Sequence, residues 1–205
     1  MPLNGPVHPA GLPSLPPLPD DLRLLGITGA PGAGKSTLAA ALASARGMAV
    51  VPMDGFHYAD VELVRRGLLE QKGAPDTFDA PGYAALLERV RAGEEDVVAP
   101  GFERTLEQPL AAAIHVPAYG PVVTEGNYLL LDEPRWRRVR DRLEVVWHVR
   151  VDEEVRRERL VARHVEFGKP LPEARAWVER VDEPNARLVE AAAGRADAVV
   201  DLTGW

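Results

Sequence analysis

Gly29-Ala30-Pro31-Gly32-Ala33-Gly34-Lys35-Ser36, followed by Thr37, fits the spacing G-x-x-x-x-G-K-[ST] of a phosphate-binding loop. The residue types follow from the task. Backbone N–H groups must wrap a polyphosphate, and glycine removes the side chains that would block them. Lys35 supplies a mobile ammonium for the outer phosphates, and Ser36 a hydroxyl for Mg²⁺. The flanks agree. Leu24-Leu25-Gly26-Ile27-Thr28 reads as a short buried strand, and Leu38-Ala39-Ala40-Ala41-Leu42-Ala43 as a strong helix former. The loop therefore joins a strand to a helix and holds its anion at the helix N-terminus.

Outward from the loop, strands and helices alternate. Met48–Pro52, Pro121–Thr124, Val145–Val151 and Asp197–Leu202 read as further strands. Pro81 opens a helix that ends near Gly93, and Trp136–Arg142 reads as another. Val97–Phe102 and Ile114–Val116 are expected to form small strands or a hairpin. The fold class is α/β, a three-layer sandwich around a mostly parallel sheet. Ligands then sit beyond the carboxyl ends of the strands.

The chain of 205 residues suits one domain, expected over 20–205. Acceptor-binding insertions are expected at about 53–120 and an Arg-rich lid at about 152–184. Residues 1–19, rich in proline, read as a flexible leader. A net charge of -7 gives no basic surface for nucleic acid. The absence of cysteine excludes disulfides and thiolate metal sites and suits a cytoplasmic protein. No apolar run approaches a membrane span, and the N-terminus is not expected to be a secretory signal.

Asp54 follows a predicted strand and precedes Gly55. It can act as base toward an acceptor hydroxyl, hold a metal through water, or simply cap a turn. Phe56, His57 and Tyr58 adjoin it as candidate substrate contacts. Glu125 stands at another strand end as a candidate second metal carboxylate, or as a helix cap. In the helix Asp152–Phe167, Arg156, Arg159 and Arg163 form one stripe beside an apolar arc of Val155, Val161, Ala162 and Val165. Spacing alone fits a solvated face with Asp152–Arg156 and Glu153–Arg157 pairs as well as a lid over phosphate. Ala174, Trp177, Val178 and Val181 share one face of the next helix, which Pro184 kinks or restarts. His115, His148 and His164 read as structural, and Trp136, Trp147 and Trp177 as core.

Taken in order, the loop, Met53-Asp54-Gly55-Phe56-His57, Asp76-Thr77-Phe78-Asp79-Ala80-Pro81 and Thr124-Glu125-Gly126-Asn127-Tyr128-Leu129-Leu130 resemble the phosphoribulokinase/uridine kinase family, nearest its bacterial uridine kinase-like branch. The resemblance implies a kinase using ATP and Mg²⁺ on a hydroxyl of a small metabolite. Uridine or another nucleoside, fructose, pantothenate and nicotinamide riboside are the candidates, and a nucleotide-hydrolysing switch is the alternative. It implies Asp54 as base, and Ser36 and Glu125 at the metal together with Asp54. Asp79, Arg104, Asn127 and Tyr128 then belong to the acceptor side. Ala80 stands where uridine kinases carry His, and Glu103 where the family carries Asp. The Arg helix ending at Gly168-Lys169 is similar to the family's lid, which implies that Arg159 and Arg163 act on phosphate beside Lys35. Expected partners are ATP and the acceptor, with no nucleic acid and no membrane; a homodimer is left open.

Overall fold

The computed structural model describes residues 12–205. In chain order its elements are β1 (Leu24–Thr28), α1 (Lys35–Arg46), β2 (Ala49–Pro52), α2 (Asp60–Arg66), α3 (Ala80–Arg91), β3 (Val97–Glu103), β4 (Gln108–Val116), β5 (Val122–Glu125), α4 (Pro134–Arg140), β6 (Val145–Arg150), α5 (Glu153–Glu166), α6 (Leu171–Trp177), α7 (Glu183–Ala191) and β7 (Ala198–Asp201). Five strands form a parallel sheet in the order β2-β5-β1-β6-β7. β3 and β4 form a separate antiparallel hairpin.

β1 is central, and all five of its residues are buried. Strand periodicity sends alternate side chains to opposite faces. Leu24 packs with Val51, Val122 and Val146 against Tyr83 and Leu87 of α3 and Trp136 of α4. Leu25 and Ile27 pack with Val123, Trp147 and Val149 against Leu38, Ala39 and Leu42 of α1. Each such side chain contributes roughly 1.5–3 kcal/mol by leaving water. The three-layer α/β sandwich expected from the strand–helix alternation is the architecture found.

The stretch read as a flexible leader divides. Residues 1–11 lie outside the described residues. Leu12, Leu15 and Leu18 pack against the core on the α1 side, together with Trp205. A polyproline-type chain has three residues per turn, so leucines spaced by three fall on one face.

Three expectations for the C-terminal third need correction. Asp152 does not pair with Arg156; its carboxylate caps α5, accepting from the N–H groups of Glu154 and Val155 at 3.0 and 3.2 Å. Arg156 is instead buried with Leu160, while Val155 and Val165 are exposed. Trp177 is only half-buried and lines a cavity. The break expected at Pro184 is a π turn over Val178–Asp182 that runs directly into α7. Proline has no N–H and its ring crowds the carbonyl four residues back, so the wider turn relieves both problems. Among the described residues no helix is long and apolar enough to cross a membrane.

His148 on β6 is 2% exposed, with Nε2 3.3 Å from a carboxylate oxygen of Glu190. Burial pushes its pKa below the ordinary 6.5, with Glu190 opposing. The unfolded imidazole takes a proton near 6.5 and the folded one only at lower pH, so stability falls as pH drops below 6.5. In thermal melts between pH 7.5 and pH 5, a His148→Gln variant should lose less melting temperature than the parent. An equal loss would show that His148 does not contribute to acid sensitivity.

Candidate active site

Parallel register brings the functional loops to one edge. Glu125, the last residue of β5, pairs with Ile27 of β1 on one side and Pro52 of β2 on the other. The glycine-rich loop begins two residues beyond Ile27, and a 3₁₀ turn, Met53–Phe56, carries Asp54 directly after Pro52. The loop backbone lies tight against its surroundings. At Gly29 a Cβ would fall 2.4 Å from the Val149 carbonyl oxygen. At Gly32, whose φ is 81°, it would fall 2.9 Å from the carbonyl oxygen of Arg156. Glycine is the residue that meets both conditions.

Lys35 is almost fully buried, and its ammonium donates to the carbonyls of Gly29 and Ala30 at 2.9 and 3.1 Å. The Ser36 hydroxyl donates to a Glu125 carboxylate oxygen at 3.0 Å. From the hairpin, Arg104 Nη2 donates to Asp54 Oδ2 at 2.8 Å. His57 Nδ1 lies 3.0 Å from the Asp54 carbonyl oxygen, and its ring lies tilted with its centre 3.8 Å from that of Phe78 and 5.1 Å from that of Phe102. These groups line one cavity of about 430 Å³.

The charges in it are strongly coupled. Burial pulls the Lys35 pKa down to about 8 against the opposing pull of Glu125 and Asp54. Burial pushes the Asp54 carboxyl up, but attraction to His57, Arg104 and Lys35 and the Arg104 hydrogen bond more than offset it, leaving it below the usual range. Glu125 is raised, first by burial and then by the charge of Asp54. Two acids with opposite shifts at one edge have distinct chemical characters.

α5 closes the cavity from the far side. Arg156, at its buried face, reaches the Pro31 carbonyl at 3.4 Å with one nitrogen and Glu183 at 2.6 Å with another. The π turn sets Asp182 and Glu183 side by side: Glu183 holds Arg156, and Asp182 Oδ2 accepts from His164 Nε2 at 2.8 Å. Arg163 lines the cavity, and Arg159 Nη1 comes within 3.8 Å of where a Gly34 Cβ would sit. Among the described residues neither has an acid within ion-pair distance.

Of the residues picked from sequence, Pro31, Gly32, Lys35, Ser36, Asp54, His57, Arg104, Glu125, Asn127 and Arg163 share the cavity wall. Gly29, Ala30, Ala33, Gly34 and Thr37 complete the loop around it. Four acceptor-side candidates are used elsewhere. Phe56 is buried against Tyr83, and Tyr128 is buried against Phe78 and Trp136 with its hydroxyl on the Gly73 carbonyl. Asp79 caps α3 through the Gly82 N–H at 3.0 Å, and Tyr58 lies under Arg66 at 4.2 Å. His164, read as structural, and Trp177, read as core, both face the cavity. Lys72, Phe102, Lys169 and Asn185 also line it and were not singled out as site residues. For Lys169 the signal was present in Gly168-Lys169-Pro170, the break that ends α5.

The profile of the AAA domain family matches residues 25–176. The chain is 33% identical over 180 residues to an uncharacterised Escherichia coli K12 protein, YggC, covering 84% of this chain and 75% of that one. It is 35% identical over 172 residues to a Schizosaccharomyces pombe protein provisionally named uridine kinase C227.14, covering 78% and 73%. A crystal structure from Silicibacter sp. TM1040, provisionally described as a fructose transport system kinase, superposes with a TM-score of 0.77 and 39% identity over 91% of this chain and 93% of that one.

Glu183 and Arg156 are both close to fully buried, with side-chain exposures of 11% and 7%. Removing one partner of a buried pair strands the other charge. Glu183→Ala should cost about 3–5 kcal/mol in chemical denaturation. A cost below about 1 kcal/mol would show that Arg156 finds water or another acid without disturbing the loop.

Proposed function

This chain belongs to the AAA-domain P-loop kinases of the phosphoribulokinase/uridine kinase family, and from that premise we propose that it transfers the γ-phosphoryl group of ATP to a hydroxyl of a small metabolite. The observation that carries the reading is the Asp54 carboxylate. It sits in the same cavity as the phosphate loop, held by Arg104 at 2.8 Å and kept ionised at neutral pH. Beside this base His57, Phe78 and Phe102 give the cavity an aromatic wall suited to an organic acceptor, which a nucleotide-hydrolysing switch does not require.

Each residue then has a role. The loop amides and Lys35 bind the outer phosphates. Arg159 and Arg163, cations without acid partners, stabilise charge on the migrating group. The acceptor hydroxyl oxygen forms a bond to the γ-phosphorus as the bond from γ-phosphorus to the β,γ-bridging oxygen breaks. ADP leaves with that electron pair, and Asp54 takes the hydroxyl proton. Enclosure by α5 to α7 keeps water from competing with the acceptor.

The donor set fits Mg²⁺. Among the described residues there is no cluster of three or more His, Cys, Asp or Glu able to hold a metal. Mg²⁺ in phosphoryl-transfer sites takes one or two carboxylates, with water and phosphate oxygens completing its shell. The Ser36–Glu125 contact and the mutual repulsion of Glu125 and Asp54 match that smaller requirement. Ser36, Glu125 and Asp54 would hold the ion, which when bound would neutralise phosphate charge.

The acceptor is best sought among uridine and other nucleosides, fructose, pantothenate and nicotinamide riboside. In an ADP-release screen, one acceptor should raise turnover well above the rate with ATP alone. Asp54→Asn should lower that stimulated rate by about 10²–10⁴-fold, the usual contribution of a general base. Lys35→Ala should abolish it. ATP turnover that no acceptor stimulates, or a stimulated rate indifferent to Asp54→Asn, would overturn the reading.

A further inference from the structure

The lid wall of the cavity carries positive charge that no carboxylate among the described residues pairs with. Two of the cavity's cations are already matched: Arg104 by Asp54, and Lys72 by Asp60 at 2.6 Å and by the Glu107 carbonyl. Lys35 and Arg163 lie at the phosphate loop. Lys169 is different. It lines the cavity half-buried, with its ammonium 4.6 Å from the centre of the Trp177 ring. Arg180 sits 5.4 Å from the same ring. Among the described residues no carboxylate is within ion-pair distance of Lys169 or Arg180. The acids on the wall are elsewhere: Asp54 and Glu125 at the loop, Asp182 on His164, and Glu70 and Glu107 on the segments that flank Lys72.

The cluster is also fixed in place. α5 ends in a paired turn in which Gly168 N–H donates to Val165 at 3.0 Å and Lys169 N–H to His164 at 2.9 Å. Gly168 takes the left-handed conformation, φ 96°, which that turn requires. Trp177 gives the ammonium a π face, and the adjacent His164 is held by Asp182. Trp177, Val181 and Asn185 follow one another at four-residue spacing along the roof, all on the cavity wall. Asn185 reaches the Gly73 carbonyl at 3.4 Å, so the roof runs about 10–12 Å from the acceptor loop to Trp177.

We propose that the acceptor carries an anionic group, carboxylate or phosphate, remote from its reacting hydroxyl, and that Lys169, supported by Trp177 and Arg180, binds it. The proposal rests on the kinase reading and narrows it, favouring acids and phosphorylated alcohols over neutral nucleosides and sugars.

Matched acceptors test it: pantothenate against its neutral alcohol pantothenol, and fructose 6-phosphate against fructose. The first pair isolates a carboxylate and the second a phosphate. The anionic member of at least one pair should show a kcat/KM at least tenfold higher than its neutral partner. Lys169→Gln should remove about tenfold of that preference, the size of one charge-assisted hydrogen bond, and the loss should fall in KM rather than kcat. Lys169→Arg should restore most of it. Binding of the same four compounds, followed by fluorescence with Trp177→Phe as control, gives a readout independent of turnover. Anion-selective binding that depends on Lys169, with no acceptor in the ADP-release screen stimulating turnover, would support this site and overturn the kinase reading. Phosphorylation with no preference for the anionic partner would overturn this site and leave the kinase reading standing. A Lys169→Gln protein with a lower melting temperature and unchanged KM for every acceptor would show that Lys169 merely staples the lid.

Discussion

One rung of the parallel sheet governs the site. Because Ile27, Glu125 and Pro52 stand level, three successive loops leave the sheet at the same height. A slip of one residue in β5 would turn Glu125 to the opposite face of the sheet and separate it from Ser36. The register is secured by burial on both sides of the sheet. Leu24, Val122 and Val146 face one core, and Leu25, Val123 and Trp147 face the other. The geometry of the candidate site is therefore a by-product of packing that occurs below it.

Above that rung, charge is arranged by exclusion of water. Lys35, Asp54 and Glu125 lie close enough in a desolvated space that none keeps its ordinary proton affinity. Arg104 biases the arrangement by lying on Asp54 rather than on Glu125. The two acids thus differ in proton affinity within one cavity. Behind the loop the same logic is structural, since Arg156 ties the Pro31 carbonyl to the first residue of α7. The glycine-rich loop and the start of α7 share this strut.

Sequence reading captured what has a short-range signal. The spacing of Gly29, Gly34 and Lys35, the apolar run before them and the helix formers after them are local facts, and they located the fold. Asp54 and Glu125 were legible because a strand end followed by glycine is a local pattern too. Asp79 and Asp152 turned out to be local helix caps, and the other failures are long-range. Arg156 looked like a surface residue with an acid four positions back; its true partner, Glu183, is 27 residues away. Trp177 and His164 carry no mark that separates a cavity wall from a core. Phe56 and Tyr128 sit inside motifs whose neighbours reach the cavity, but their own rings fill the interior. Which side of a motif faces a ligand is decided by the tertiary packing around it.

The leucines at positions 12, 15 and 18 have a practical meaning. Compositional reading puts a domain border near Asp20, yet these side chains, with Trp205, pack against the core on the α1 side of the sheet. Trimming the protein to its motif-bearing region would remove these side chains and bare greasy surface to neighbouring molecules.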